Sequence, residues 1–396
     1  MATIYLGRAH DASGAARLAA IKVIHHDLRH DERFVQMFLD EARVLSRLSH
    51  PNIAGTPEYG TDAEQHFIAM ELLIGRTLLD VWNACKERKL SLRHEHAAWI
   101  AARVADALHY AHEVVDETGT PLRVIHRDVN PGNIFLTFEG EVKLFDFGLA
   151  KSTEKRSPSS AGIVKGKLQY LSPEQVEQLQ LDHRSDIFML GTTLWEMTTM
   201  RRLFQKPDDV STLMAVKASL VPDPRATVPS YPETLWNILR RALARDRDER
   251  YPTAAAFARD LDAFVAEHGP DEDMAALTSE ILDALFPGER EKRALWLKMA
   301  NAPRGSPPRA TMPPPVPLAG ADTPQMQPLA PPSTHRPVPP SGPASTQPPM
   351  ASQSPPVKNS SERPPSRRSS SNPPRQPSAP APKEPRGPAK MREPKG

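Results

Sequence analysis

The composition breaks once, near Ala302, and that break confines any packed core to the residues before it. Most of the 43 prolines of this 396-residue chain lie beyond it, interleaved with Ser, Arg and Gln and with almost no aliphatic or aromatic residues. Such a stretch cannot bury enough apolar surface to offset the entropy of ordering it, so 302–396 is expected to be a disordered tail. The region before it has ordinary apolar content and the length for a sizeable core. Formal net charge is +2, but the tail alone carries roughly +9, which leaves the remainder mildly acidic. A dilute basic tail is ordinarily just solvated, the alternative being contact with an acidic protein, nucleic acid or a membrane surface. No specific nucleic-acid partner is expected. Cys85 is the lone cysteine. It rules out an intrachain disulfide and a cysteine-based zinc site, and it suits a reducing, cytoplasmic setting. No apolar run approaches the length of a membrane span, about eighteen residues, and no signal peptide is read.

Local patterns divide the first 301 residues. Residues 3–6 and 18–24 read as strands around a turn marked by Asp11, Ser13 and Gly14. Phe34, Phe38, Val44, Leu45 and Leu48 recur at helical spacing within 31–48, and His50-Pro51-Asn52 ends that helix. Residues 66–73 read as a further strand. From Ser91 the pattern is helical, with Trp99, Val104, Leu108 and Tyr110 on one face. Two short strands, 124–125 and 142–145, are expected to flank a turn-rich segment, and helical patterns dominate from Pro173 to Ala300. A small strand-rich part followed by a large helical part predicts an α+β molecule of two lobes with a cleft between them. No internal repeat is present.

The turn-rich segment carries the chemistry. It reads His126-Arg127-Asp128-Val129-Asn130-Pro131-Gly132-Asn133, and Asp146-Phe147-Gly148 begins thirteen residues after Asn133. Ala20-Ile21-Lys22 ends a strand, and Glu41 follows nineteen residues later inside a helix. Ser172-Pro173-Glu174, Asp186 with Gly191, and Arg250 come further on. Each piece is weak alone. In this order and spacing they resemble the protein kinases. Ser-His-Pro-Asn-Ile at 49–53 and Tyr-Leu-Ser-Pro-Glu-Gln at 170–175 are similar to the bacterial branch of the eukaryotic-like (Hanks-type) serine/threonine kinases. The resemblance covers roughly residues 1–265.

That resemblance implies a bilobal protein-kinase-like fold. The expected parts are a β-rich N-lobe over 1–73, a helical C-lobe over 74–268, a helical extension over 269–301 and the tail. It implies ATP and magnesium as cofactors and protein substrates as partners. Phosphoryl transfer needs positioning and charge neutralisation more than covalent help. Asp128 would orient and deprotonate an incoming hydroxyl. Lys22 would meet the α- and β-phosphates and Glu41 would hold it, while Asp146 and Asn133 would be the metal ligands. Met70 aligns with the gatekeeper, Glu71 and Leu73 would offer hinge backbone hydrogen bonds, and Ile4, Ala20 and Phe135 would sandwich the adenine. His126, Phe147, Asp186 and the Arg250–Glu174 pair look structural.

Three departures from the family pattern stand out. Ala2 falls near the third glycine of the phosphate-covering loop, so the first strand and most of that loop are missing, and a start upstream of Met1 is favoured. Asn130 stands where serine/threonine kinases carry a lysine that steadies the transferred phosphate. Lys167 stands after Gly166 where a threonine is usual. The last two are read together: Lys167 would supply the ammonium that Asn130 lacks, unless it points to solvent or substrate. Both therefore join the candidate catalytic set. Ile163 fills the usual phospho-acceptor slot, which leaves Thr153, Ser157, Ser159 and Ser160 as alternative sites. Leu277, Ile281, Leu282, Leu285 and Phe286 are expected to pack on the large lobe. The Pro-Pro repeats of the tail are linkers or partner ligands, and Ser366 to Ser371 are potential autophosphorylation sites. The reading is a kinase acting on protein Ser or Thr; Leu149 hints at serine. The alternatives are a kinase-like scaffold and a small-molecule phosphotransferase.

Overall fold

The computed structural model describes residues 2–10, 16–56, 58–62, 65–148, 167–270 and 272–301. The expected phosphosites at 153–160, Leu149, the Asp11–Gly14 turn and the tail lie outside them.

The small lobe is an antiparallel sheet of β1 (Ala2–His10), β2 (Ala16–Ile24), β3 (Glu58–Asp62) and β4 (Gln65–Glu71), in the order β1-β2-β4-β3. Directly opposed residues in such a sheet share a face. The register sets Ile4 opposite Lys22, Leu6 opposite Ala20, Ala20 opposite Met70 and Lys22 opposite Ile68, so these six line one face. Helix α1 (Glu32–Leu45) packs on the sheet through Phe38 and Ala42 against Ile24 and Ile68. Asp31 starts the helix by accepting from the amides of Arg33 and Phe34, both at 3.1 Å.

A second sheet, β5 (Gly75–Thr77), β6 (Ile134–Thr137) and β7 (Val142–Leu144), follows the link between the lobes. The large lobe contains α2 (Leu78–Glu87), α3 (His94–Glu113), α4 (Pro173–Val176), α5 (Arg184–Thr199), α6 (Asp209–Ala218), α7 (Glu233–Ala242), α8 (Ala254–His268), α9 (Met274–Leu285) and α10 (Glu289–Asn301). Alanines at 97, 98, 101, 102 and 105 let α3 approach α8 and α5 closely. Helix α5 is buried from Ser185 to Thr199 and forms the axis of this lobe. Leu282 and Leu285 of α9 sit in the same core, with Ile281 and Phe286 packed against it. Helix α10 then contacts β2.

The expected strand at 124–125 is absent. Val124 is buried there, but the following amides of His126 and Arg127 are bonded to the Asp186 carboxylate and not to a neighbouring strand. Strands β3, β5 and β6 and helix α2 were not foreseen. No described helix is long and apolar enough to cross a membrane.

Candidate active site

Lys22 projects from β2 towards two carboxylates. Its Nζ lies 2.9 Å from Asp146 Oδ1 and 3.4 Å from Glu41 Oε1. The strand, the helix and the loop after β7 thus meet at one ammonium. Burial alone would lower the Lys22 pKa, but Asp146 and then Glu41 outweigh it, and the net shift is upward. Burial would raise that of Asp146, yet the Lys22 charge and hydrogen bond, with Lys167 and His126 behind them, hold it below the ordinary carboxylate value. Asp146 adopts a left-handed backbone, φ 57°. Phe147 anchors that bend from below, its ring centroid 4.4 Å from that of His126, while the Gly148 amide donates to the His126 carbonyl at 2.8 Å.

The loop bearing Asp128 is held from beneath by Asp186 at the start of α5. That carboxylate accepts from the amides of His126 (2.9 Å) and Arg127 (2.8 Å) and pairs with His112 Nε2 (2.8 Å). Burial opposes its ionisation, but these donors prevail and its pKa is lowered. Gln175 Nε2 donates to the Arg127 carbonyl at 3.0 Å. Asn133 Nδ2 donates to the Asp128 carbonyl at 2.8 Å and to Asp128 Oδ2 at 3.2 Å. Lys167 Nζ donates to the same Oδ2, also at 3.2 Å.

Asn130, placed above in the catalytic set, does something else. It is buried, its Oδ1 accepts from the Gly132 amide at 2.9 Å, and its Nδ2 donates to the Asp128 carbonyl at 2.7 Å. Both ends of the amide therefore shape the turn.

The donor set of Asp146 and Asn133, one ionised carboxylate and one amide oxygen, is hard and suits magnesium. Among the described residues no three His, Cys, Asp or Glu side chains converge on one point.

The residues expected around the adenine are divided between the two sheets and the link that joins them. Ala20 and Met70 are paired and half-buried, Ile4 is exposed on the same sheet face, and Phe135 stands on β6 edge-on to Phe145 at 6.2 Å. Leu73 is half-buried in the link. Glu71 is only partly available. Its amide donates to the Gly55 carbonyl at 2.7 Å, and its carboxylate binds Lys143 (3.0 Å) and the Gly55 amide (3.0 Å). Reading the sequence missed the supporting partners: His112, Gln175, Lys143 and Ser185.

Comparison with known proteins shows the family. A family described as protein kinase domain matches residues 2–261. The chain is 38% identical over 268 residues to the tyrosine-protein kinase MasK of Myxococcus xanthus, covering 68% of this chain and 42% of that protein. It is 31% identical over 245 residues to the serine/threonine-protein kinase PrkC of Bacillus subtilis, covering 62% of this chain and 36% of that protein. The chain thus spans less than half the length of either relative. The crystal structure of the Mycobacterium tuberculosis PknI kinase domain covers 66% of this chain and 90% of its own, at 26% identity and a TM-score of 0.48.

Proposed function

This chain belongs to the protein kinase domain family, and from that premise we propose that it transfers the γ-phosphoryl group of ATP to serine or threonine hydroxyls of proteins in bacterial signalling. One observation carries the reading: Lys22 joins Glu41 to Asp146, and Lys167, paired with Asp128, also bears on Asp146 by its charge.

Each group then has a task. Asp128 accepts the proton of the acceptor hydroxyl. The acceptor oxygen bonds to the γ-phosphorus as the bond to the β–γ bridging oxygen breaks, and the electron pair leaves with ADP. Lys22 pairs with the α- and β-phosphates, and Glu41 keeps its stem directed into the cleft. Asp146 and Asn133 would hold magnesium, which supplies neutralising charge at the phosphate oxygens. Ile4, Ala20, Met70 and Phe135 would enclose the adenine, with backbone groups of Glu71 and Leu73 at its edge. The choice of serine and threonine over tyrosine follows PrkC and the other relatives carrying that name, against MasK. The free, buried Cys85 supports action in a reducing cytoplasm.

The test is incubation of the full chain with labelled ATP, magnesium and a protein acceptor, followed by phosphoamino acid analysis. Asp128→Asn should lower the rate about 10²–10⁴-fold with nucleotide affinity kept. Label on phosphotyrosine alone would refute the serine/threonine assignment. Absence of Asp128-dependent label would leave a kinase-like scaffold.

A further inference from the structure

Lys167 occupies a place that packing does not explain. The chain just after it is fixed: Leu168, Gln169 and Tyr170 are buried in a 3-10 turn, and the Tyr170 hydroxyl donates to Glu196 Oε2 of α5 at 2.7 Å. From that anchored base a side chain that is 39% exposed reaches back to Asp128 Oδ2 at 3.2 Å. The exposure leaves the ammonium free to move, and a lysine stem is flexible. Its charge also bears on Asp146. Lys22 already stands between Asp146 and Glu41, at the nucleotide end of the cleft. Lys167 stands at the acceptor end, beside the carboxylate that would take the proton. Asn130 brings no charge there, and its amide is engaged at both ends by the turn.

We propose that Lys167 is a catalytic residue: its ammonium leaves Asp128 Oδ2 when the acceptor hydroxyl arrives, and pairs with a γ-phosphoryl oxygen as that group is transferred. The inference rests on the kinase reading above. Negative charge spreads over the equatorial oxygens of the phosphoryl group during transfer, and a cation held there in advance lowers the barrier. Withdrawing the ammonium from Asp128 Oδ2 raises the basicity of the carboxylate that takes the hydroxyl proton, while Asn133 keeps it in place. The cation comes from the residue before the Leu168–Tyr170 turn and not from the loop that carries Asp128. Transfer therefore depends on that turn being docked on α5.

The test compares Lys167→Met and Lys167→Arg in the full chain, with Lys89→Met, an exposed lysine at the end of α2, as control. Lys167→Met should lower kcat about 100-fold, as loss of one charge-stabilising donor does. KM for ATP, and the Kd for magnesium-ADP by calorimetry, should stay within about threefold. Lys167→Arg should recover part of kcat, and the control should match the wild type. The proposal is overturned if Lys167→Met keeps kcat within about threefold of wild type, or if nucleotide affinity falls in step with kcat. It is equally overturned if the arginine variant, folded by its thermal midpoint, is no better than the methionine one. These outcomes, with Asp128→Asn inactive, sink the role of Lys167 alone. A wild type with no Asp128-dependent transfer sinks the kinase reading and this inference together.

Discussion

Glu174 is gripped by three donors: Ser185 Oγ at 2.6 Å and the two terminal nitrogens of Arg250 at 2.8 and 3.0 Å. Both partners are buried, the Arg250 side chain fully so. Burial would raise the Glu174 pKa, but the Arg250 fork more than offsets it. Removing one member of such a pair strands the other charge away from water. Arg250→Met should therefore lower unfolding stability by about 3–5 kcal/mol in a urea titration. Arg250→Lys should restore only part, because an ammonium cannot offer the two-pronged fork. The pair was implied by the resemblance to the protein kinases. Ser185, His112 and Gln175 were not, because each acts through one hydrogen bond to a residue 11 to 74 positions away. Nothing in the local pattern of those residues announces such a partner.

At the scale of elements, α9 is pinned to α3 by a titratable contact. His96 is buried, and its Nε2 lies 2.8 Å from Thr278 Oγ1. Burial, with a smaller push from Arg93, takes its pKa from 6.5 down to about 4. The folded state thus stays neutral at His96 while the unfolded chain gains a proton below pH 6.5. The contribution is fully present above that pH and is lost as pH falls towards 4, by about 3 kcal/mol at the end of the window. The thermal midpoint should fall more steeply between pH 7 and 4.5 in the wild type than in His96→Gln, and amide exchange in α9 should rise first. Equal slopes would exclude the contact as the acid-sensitive point. The long amphipathic helices were legible because their period is. Helix α2 was missed although its start is written out: Thr77 Oγ1 accepts from the Asp80 amide at 3.1 Å and Asp80 Oδ2 accepts from the Thr77 amide at 3.2 Å. Strands of three to five residues, β3, β5 and β6, are too short for an alternation to stand out.

For the molecule as a whole, α9 belongs to the core of the large lobe and α10 contacts β2 of the small lobe. Leu282 is fully buried, Arg88 donates to the carbonyls of Ala284 and Leu285 at 2.9 and 2.6 Å, and Arg76 of β5 pairs with Glu289 at 2.9 Å. Gly140, at φ 89°, lies so close to the Ala275 carbonyl that a Cβ there would collide with its oxygen. Leu282→Ala should cost about 2–5 kcal/mol and lower a single calorimetric transition. A second transition of its own for 274–301 would mean that the extension folds apart from the kinase core.

By itself the sequence determined the protein kinase family and the order of small and large parts. Those follow from local period and from residues at set spacing, both of which are properties of the linear chain. Only the tertiary structure decided that Asn130 turns inward to hold its own loop, that Lys167 meets Asp128, and that the amide of Glu71 is engaged by Gly55. The physical reason is that a side chain's role depends on which donors and acceptors are left unmet around it. For residues 39 or 124 positions apart, as Asp128 and Lys167 or Lys22 and Asp146 are, only packing brings those groups within reach.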